Sequence, residues 1–418
     1  MMTQAFYTGL SGIKSTQTSI DVTSDNIANV NTVGYREYGV EFSSLFETMV
    51  TTSNDNSIIN SSIGLGSKVQ ATTMSQANGT LAITQRSSDL AILGDGWFGV
   101  SGEEVMFTRA GDFTFDSASN LVTTGGAHVL GTMGNNIVDG VLTETLTEIP
   151  LGNVNNQEAL NFPTSLVYPV QPTSNVSFYA NLGNEGIPTK IGSSAIDAQN
   201  NINNLEVAFT KSEVQVTPGS QWNVVATSKT LDGETIYDTQ TGVLSFDDSG
   251  ALISSTLGAL NNNGAMVNID FGEGFTGIMA TSAEATSGSS RSDGTAAGDL
   301  VGYDVNTFGD VIATFDNGMQ SSVGKIAVYH FQNDQGLARI GASSFAQSSD
   351  SGDPLFFQDA NGNNIIGTEM ANYRLENSNV KMEVALTELI IYQRSFDSSS
   401  KIISTADEML KKAIDMGA

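Results

Sequence analysis

Two stretches at opposite ends of this chain carry the same spacing, and nothing else in the sequence constrains the fold as strongly. Near the N-terminus, Phe6, Leu10, Ile13, Gln17, Ile20, Ser24 and Ile27 are spaced 4, 3, 4, 3, 4, 3. Near the C-terminus, Met382, Leu386, Leu389, Gln393, Phe396, Ser400, Ile403, Asp407, Leu410 and Ile414 keep the same alternation. Alternating threes and fours form the seam of a coiled coil. Two seams separated by most of the chain have to pair with each other or with neighbouring copies. Assembly is therefore the first function class to weigh.

The spacing predicts a helix over about 3–30, interrupted by Gly9 and Gly12. Each glycine costs roughly 1 kcal/mol against alanine in a helix interior. Such a helix is marginal alone and is expected to need partners for order. A stronger helix follows at the C-terminus. Asn379 is its expected N-cap, Glu383 lies in its first turns, and Lys411 and Lys412 complement the dipole at its end. The expected core contacts are Leu386, Leu389, Phe396, Ile403 and Leu410, the longest apolar seam. The polar seam residues Gln17, Ser24, Gln393, Ser400 and Asp407 are either tolerated imperfections or devices that set register and partner number.

The chain is acidic, with net charge −28 from 17 Lys+Arg against 45 Asp+Glu. That balance argues against nucleic acid and anionic membrane surfaces as partners. Cysteine is absent, which removes disulfides, thiolate metal sites and a cysteine nucleophile. His128 and His330 are the only histidines, too few for a multi-histidine metal centre. No apolar run approaches the ~18 residues of a membrane span, so no membrane insertion is expected. Residues 1–14 lack a basic start followed by a long apolar block, so no cleaved secretory signal is expected.

Between the helices the chain alternates like strands. Val176, Phe178, Ala180 and Leu182 interleave with polar residues, as do Trp222, Val224 and Ala226, and Val267, Ile269 and Phe271. Pro163, Pro169 and Pro172 mark a stiff entry, and residues 285–298 a Ser/Gly/Ala-rich exit. The stretch between them has the character of an inserted domain with adjacent ends. The expected fold is α+β and mainly β, with N- and C-terminal helices pairing as a coiled coil, nested around two β-rich domains. The expected division is 1–30 plus 377–418 for the helical part and 31–76 plus 369–376 for a connecting segment. A first β-domain covers 77–150 plus 298–368, and an inserted outer β-domain covers 151–297. Residues 34–76 are expected to be irregular, with Thr51–Ser62 a loop.

Candidate chemistry is weak. Gly94-Asp-Gly96-Trp-Phe-Gly99 fits a dinucleotide fingerprint, but a strand ending in a turn follows it, where the phosphate site needs a helix N-terminus. The simpler reading is a glycine turn between strands, with Trp97 and Phe98 in a core. Asp359-Ala-Asn-Gly-Asn363 begins like a calcium loop, yet Asn364 and Met370 occupy positions where that loop needs Gly and Glu. Neither histidine lies near a nucleophile-elbow sequence. No catalytic, cofactor or metal residues are assigned, and the chain is not expected to be an enzyme.

Several separated motifs resemble the bacterial flagellar rod and hook axial protein family. Asp25-Asn-Ile-Ala-Asn-Val-Asn-Thr-Val-Gly-Tyr35 is similar to its N-terminal signature, with Asn26, Asn29, Asn31, Gly34 and Tyr35 as motif positions. Leu375-Glu-Asn-Ser-Asn-Val380, followed by Gln393-Arg-Ser-Phe396, is similar to its C-terminal signature, with Ser378, Asn379, Gln393 and Arg394. Ser88 to Phe98, Phe107 to Phe113 and Asn120 to Gly125 resemble its first β-domain. Asn78-Gly79 stands where Gln-Gly is more usual, and Trp97 where Phe is. Shorter rod members lack a large insert, so the resemblance is to the hook branch. It implies a helical homopolymer, a curved tube with the terminal helices inside. The implied partners are copies of itself, the rod, hook cap and hook–filament junction proteins, and the type III export apparatus that carries it outside the cell. A distal rod or hook-like paralogue is the alternative within the family. An extracellular adhesin or surface-layer protein is the competing class, and it does not account for heptads at both ends.

Overall fold

The computed structural model describes residues 2–417 apart from 46, 50–61, 103, 216–217 and 342. The loop expected at Thr51–Ser62 falls, but for Ser62, outside the described residues. Two helices bracket the chain, α1 (Met2–Ala28) and α2 (Met382–Gly417). They run antiparallel and contact each other: Gly9 lies beside Ile403, while Ile27 joins Ala385 in one apolar cluster. The 36 residues of α2 span about 54 Å.

The described residues on either side of 50–61 correct the expectation of irregular chain. Tyr38–Ser44 pairs antiparallel with Ser67–Met74, and Glu47–Met49 with Ser62–Gly64. The polar composition reflects a two-stranded ribbon whose faces are largely solvated, not an absence of strand. Its bend at Gly66 (φ +111°) sits directly on α1, where a Cβ would collide with the Ser11 hydroxyl.

The first β-domain is stitched from both halves of the chain. Leu81–Ile83 pairs with Arg374–Glu376, Leu90–Leu93 with Glu369–Asn372, and His128–Met133 with Gln320–Ile326. Its core holds Leu90, Trp97, Phe98, Phe107, Phe113, Val311 and Phe345. Gly94 and Gly96 take positive φ in the turn before Trp97, as a glycine turn between strands requires.

The second core belongs to a sandwich of two five-stranded sheets. One is a meander from Thr189–Ile196 through Leu252–Ser255. The other is built around Asn175–Asn181. Val176, Phe178, Trp222, Val224 and Val267 fill the space between. The expected boundary at 151 is too early. Leu151, Leu160, Phe162, Leu166 and Tyr168 pack into the first core, and the second begins at Val176. The prolines at 163–172 therefore lie at the end of the first β-domain rather than inside the insert. The entry and exit strands touch: Gln171 and Thr295 exchange two backbone hydrogen bonds of 2.9 Å each.

Candidate assembly interface

The contact between α1 and α2 is built from small residues. On α1 the most protected column is Gly9, Gly12, Thr16, Ser19, Thr23 and Asn26, again spaced in threes and fours. The hydroxyls of Thr16 and Ser19 donate to the carbonyls of Gly12 (2.7 Å) and Ser15 (3.1 Å), so burying them leaves no polar group orphaned. A Cβ on Gly9 would lie 2.9 Å from Ile403 Cγ1, and one on Gly12 would lie 2.8 Å from Ser399 Oγ. The glycines that weaken the helix are what allow the two backbones to approach.

On α2 the expected seam divides into two columns of different exposure. Leu389, Phe396, Ile403 and Leu410 are each partly protected. Their companion column is Ala385, Tyr392, Ser399 and Ala406. The assigned companions Met382, Leu386, Gln393, Ser400, Asp407 and Ile414 are exposed. The reason is size: against a glycine- and serine-lined helix, small residues fit closer than a large apolar column. On α1, Phe6 is exposed, while Leu10, Ile13, Ile20 and Ile27 are half-buried beside the small column. Both helices thus leave large apolar side chains open, including Ile390, Ile391, Ile402 and Met409 at about half exposure.

Below the helices the motif residues form one hydrogen-bonded anchor. Asn26 Oδ1 accepts from the Tyr35 hydroxyl (3.0 Å) and the Tyr38 amide (3.0 Å), while its Nδ2 donates to the Tyr38 carbonyl (2.8 Å). Burial and the neighbouring Asp25 carboxylate raise the Tyr35 pKa well above the usual phenol range. Asn29 donates to Asp25, and Asn31 is exposed. Arg339 of the β-domain binds Asp25 (2.7 Å) and covers the rings of Tyr35 and Tyr38. Gly34 adopts φ +67° with its Cα pressed against Ala110, where any side chain would clash. Asn379 does not cap α2. Its Oδ1 accepts from the Glu37 amide (2.7 Å) and its Nδ2 donates to the Ala77 carbonyl (2.7 Å), and the helix starts at Met382. Ser378 Oγ accepts from the Val380 amide (3.3 Å). Gln393 and Arg394 face solvent.

Beside this anchor lies a buried charged node that no motif reading identified. Glu376 takes Arg36 on one side (3.2 Å) and Arg109 on the other (3.9 Å). Asn78 Oδ1 accepts from both guanidinium groups, at 3.0 and 3.2 Å. Arg36 also donates to the carbonyls of Gln76 and Ala77, and Arg109 to that of Gly94. Burial lowers both arginine pKa values, Arg109 to about 10, with Glu376 opposing the shift. Both remain charged at neutral pH. Gly79 donates its amide to Glu376 (2.9 Å), and a Cβ there would lie 1.8 Å from the Asn377 carbonyl. The departure at Asn78-Gly79 is thus the bridge of the node. Trp97 uses the indole N–H that Phe lacks to reach Asp334 (3.3 Å). The available signal was an arginine directly after Gly-Tyr and a glutamate directly before Asn-Ser-Asn, in a chain where only 15% of residues are charged.

Three family signatures match in chain order. "Flagella basal body rod protein" covers residues 6–36, "Flagellar hook protein FlgE/F/G D1 domain" covers 91–157, and "Flagellar basal body rod FlgEFG protein C-terminal" covers 371–416. The chain is similar along 99% of its length to the flagellar hook protein FlgE of Escherichia coli (29% identical, 100% of that protein). It is similarly related to those of Salmonella typhimurium (28%, 100%) and Borreliella burgdorferi (27%, 99%). Along nearly its whole length, then, the chain is similar to flagellar hook proteins. The crystal structure of Helicobacter pylori flagellar hook protein FlgE2 shares the fold, with TM-score 0.54 and 14% identity over 71% of this chain and 100% of that one. In hook-family terms, the N- and C-terminal signatures meet in space: α1, the anchor and α2 come from the two ends of the chain, and the node ties them to the D1-type β-domain.

Proposed function

We infer that the chain is the repeating structural subunit of a flagellar hook, a flexible curved tube that transmits torque from rod to filament. The observation that carries this reading is the pair of terminal helices. They pack closely where small residues meet and keep other large apolar side chains, Ile390, Ile391, Ile402 and Met409 among them, outward, where further copies can cover them. α1 and α2 form the inner tube, and Leu389, Phe396, Ile403 and Leu410 hold its pairs together. The segment 31–76 braces that tube against the first β-domain; residues 369–376, expected to belong to the same connection, are instead strands of that domain, paired with 81–83 and 90–93. The sandwich forms the outer layer, where polar, hydrated faces can slide as the tube bends. The partners are the rod below, the cap during growth and the hook–filament junction above. The type III export apparatus delivers the chain to the outside of the cell.

Deleting the gene and imaging cells by negative-stain electron microscopy tests the reading. Basal bodies ending at the rod, without filaments, are the expected result. Filaments on normal hooks would remove the hook role.

A further inference from the structure

On the far side of α1 from α2 runs a groove of about 710 Å³. Its one wall is α1 and its other is the ribbon. The Gly66 bend seated on Ser11 and a hydrogen bond between the Ser15 and Ser67 hydroxyls (3.1 Å) fix the walls together. The floor is apolar, with Tyr7 and Leu10 from the helix and Leu45, Leu65 and Val69 from the ribbon. Each wall carries one cation, Lys14 on α1 and Lys68 on the ribbon. Among the described residues neither lysine enters an ion pair.

The N-terminal half of α2 is the complement of that groove. Val384 and Ile391 lie one heptad apart, both about half exposed, on a face turned away from α1. Glu383 flanks them on one side and Glu388 on the other. Glu388 also faces Glu37, whose carboxyl is raised by burial and by that neighbouring charge and lowered by Lys381, so this stretch of α2 carries two carboxylates beside the single cation Lys381. The lower half of the same face, with Ile402 and Met409, carries Lys401, Lys411 and Lys412 against Asp407, Glu408 and Asp415, with Lys411 paired to Asp407, and so offers no net negative charge to the groove lysines.

Resting on the assembly reading above, we propose that this groove receives the N-terminal half of α2 from a second copy of the chain. Val384 and Ile391 seat between Leu10, Leu65 and Val69, and Glu383 and Glu388 meet Lys14 and Lys68. The apolar contact supplies affinity, and the rim charges fix register and direction. Each subunit then offers one groove and one helix on different surfaces, a head-to-tail contact that propagates rather than closing a dimer.

The absence of native cysteine makes the test direct. Leu65→Cys and Ile391→Cys variants are mixed, polymerised and oxidised. The expected result is a disulfide-linked dimer from the mixture and none from either variant alone. A parallel pair reverses charge. Lys68→Glu slows polymerisation at least tenfold, and adding Glu388→Lys restores it. Polymer that forms without the mixed dimer, or Lys68→Glu assembling at the unmodified rate, overturns the pairing and leaves the hook reading intact. Failure of the unmodified chain to polymerise overturns the assembly reading and this pairing with it.

Discussion

At the scale of single residues, the greatest leverage lies in Glu376. Among the described residues it is the anion within 4 Å of both buried arginines, and removing it leaves Arg36 and Arg109 only the more distant Asp95 and Asp334. Glu376→Gln should lower the stability of the first β-domain by about 3–5 kcal/mol, the usual cost of breaking a buried ion pair. The chain carries only two tryptophans, and they report on different cores. Denaturant unfolding followed by Trp97 fluorescence should shift, while the Trp222 signal of the outer sandwich should not. A second residue acts through pH. Burial would raise the Asp197 carboxyl, but hydrogen bonds from Asn263, Asn201 and Asn203 outweigh that and hold it at about 2. A depressed carboxyl stabilises the fold above its unfolded pKa of about 3.9 and loses that contribution as protons bind. The outer sandwich should therefore be at full stability at neutral pH and weaken as pH falls from about 4 toward 2. Asp197→Asn should flatten that acid limb in a Trp222-monitored titration.

At the scale of elements, the two helices show what patterning reveals and where it stops. The 3–4 spacing identified α1 and α2 because apolar residues on a helix must share a face. It chose the wrong companion column on α2, because the partner surface is glycine, serine and threonine rather than leucine, and hydropathy assigns such residues to solvent. Gly9 and Gly12 were legible only as weaknesses. Their use depends on Ser399 and Ile403, nearly four hundred residues away in sequence. Gly12→Val should force the helices apart, cost about 1–3 kcal/mol of overpacking and abolish polymerisation measured by light scattering. Leu389→Asp should do the same by placing a charge beside the pair. Ser400→Ala, on the exposed column, should polymerise normally. The ribbon strands at Tyr38–Ser44 and Ser67–Met74 were missed although Tyr38, Val40 and Phe42 alternate with Gly39, Glu41 and Ser43, because the alternation is short and sits in a stretch rich in Ser, Thr and Asn.

At the scale of the whole molecule, a mainly β chain with a helix at each end was legible because the motifs at both ends belong together and the middle alternates like strands. The boundary at 151 failed because the run from Gly152 to Glu158 is polar but for Val154 and reads as a break, yet Leu160, Phe162 and Leu166 reach back into the first core. The Gln171–Thr295 pair makes the insert removable. Replacing residues 172–294 with a two-residue turn should leave a chain that polymerises, with the thermal midpoint of the first β-domain changed by less than about 4 °C. The central claim is that copies of this chain stack through α1 and α2 into a tube. Helical reconstruction of the purified, polymerised chain by electron cryomicroscopy tests it most directly. The account predicts a hollow tube with both helices lining the lumen and the sandwich outermost. A polymer built through the outer sandwich, with α1 and α2 facing solvent, would contradict it.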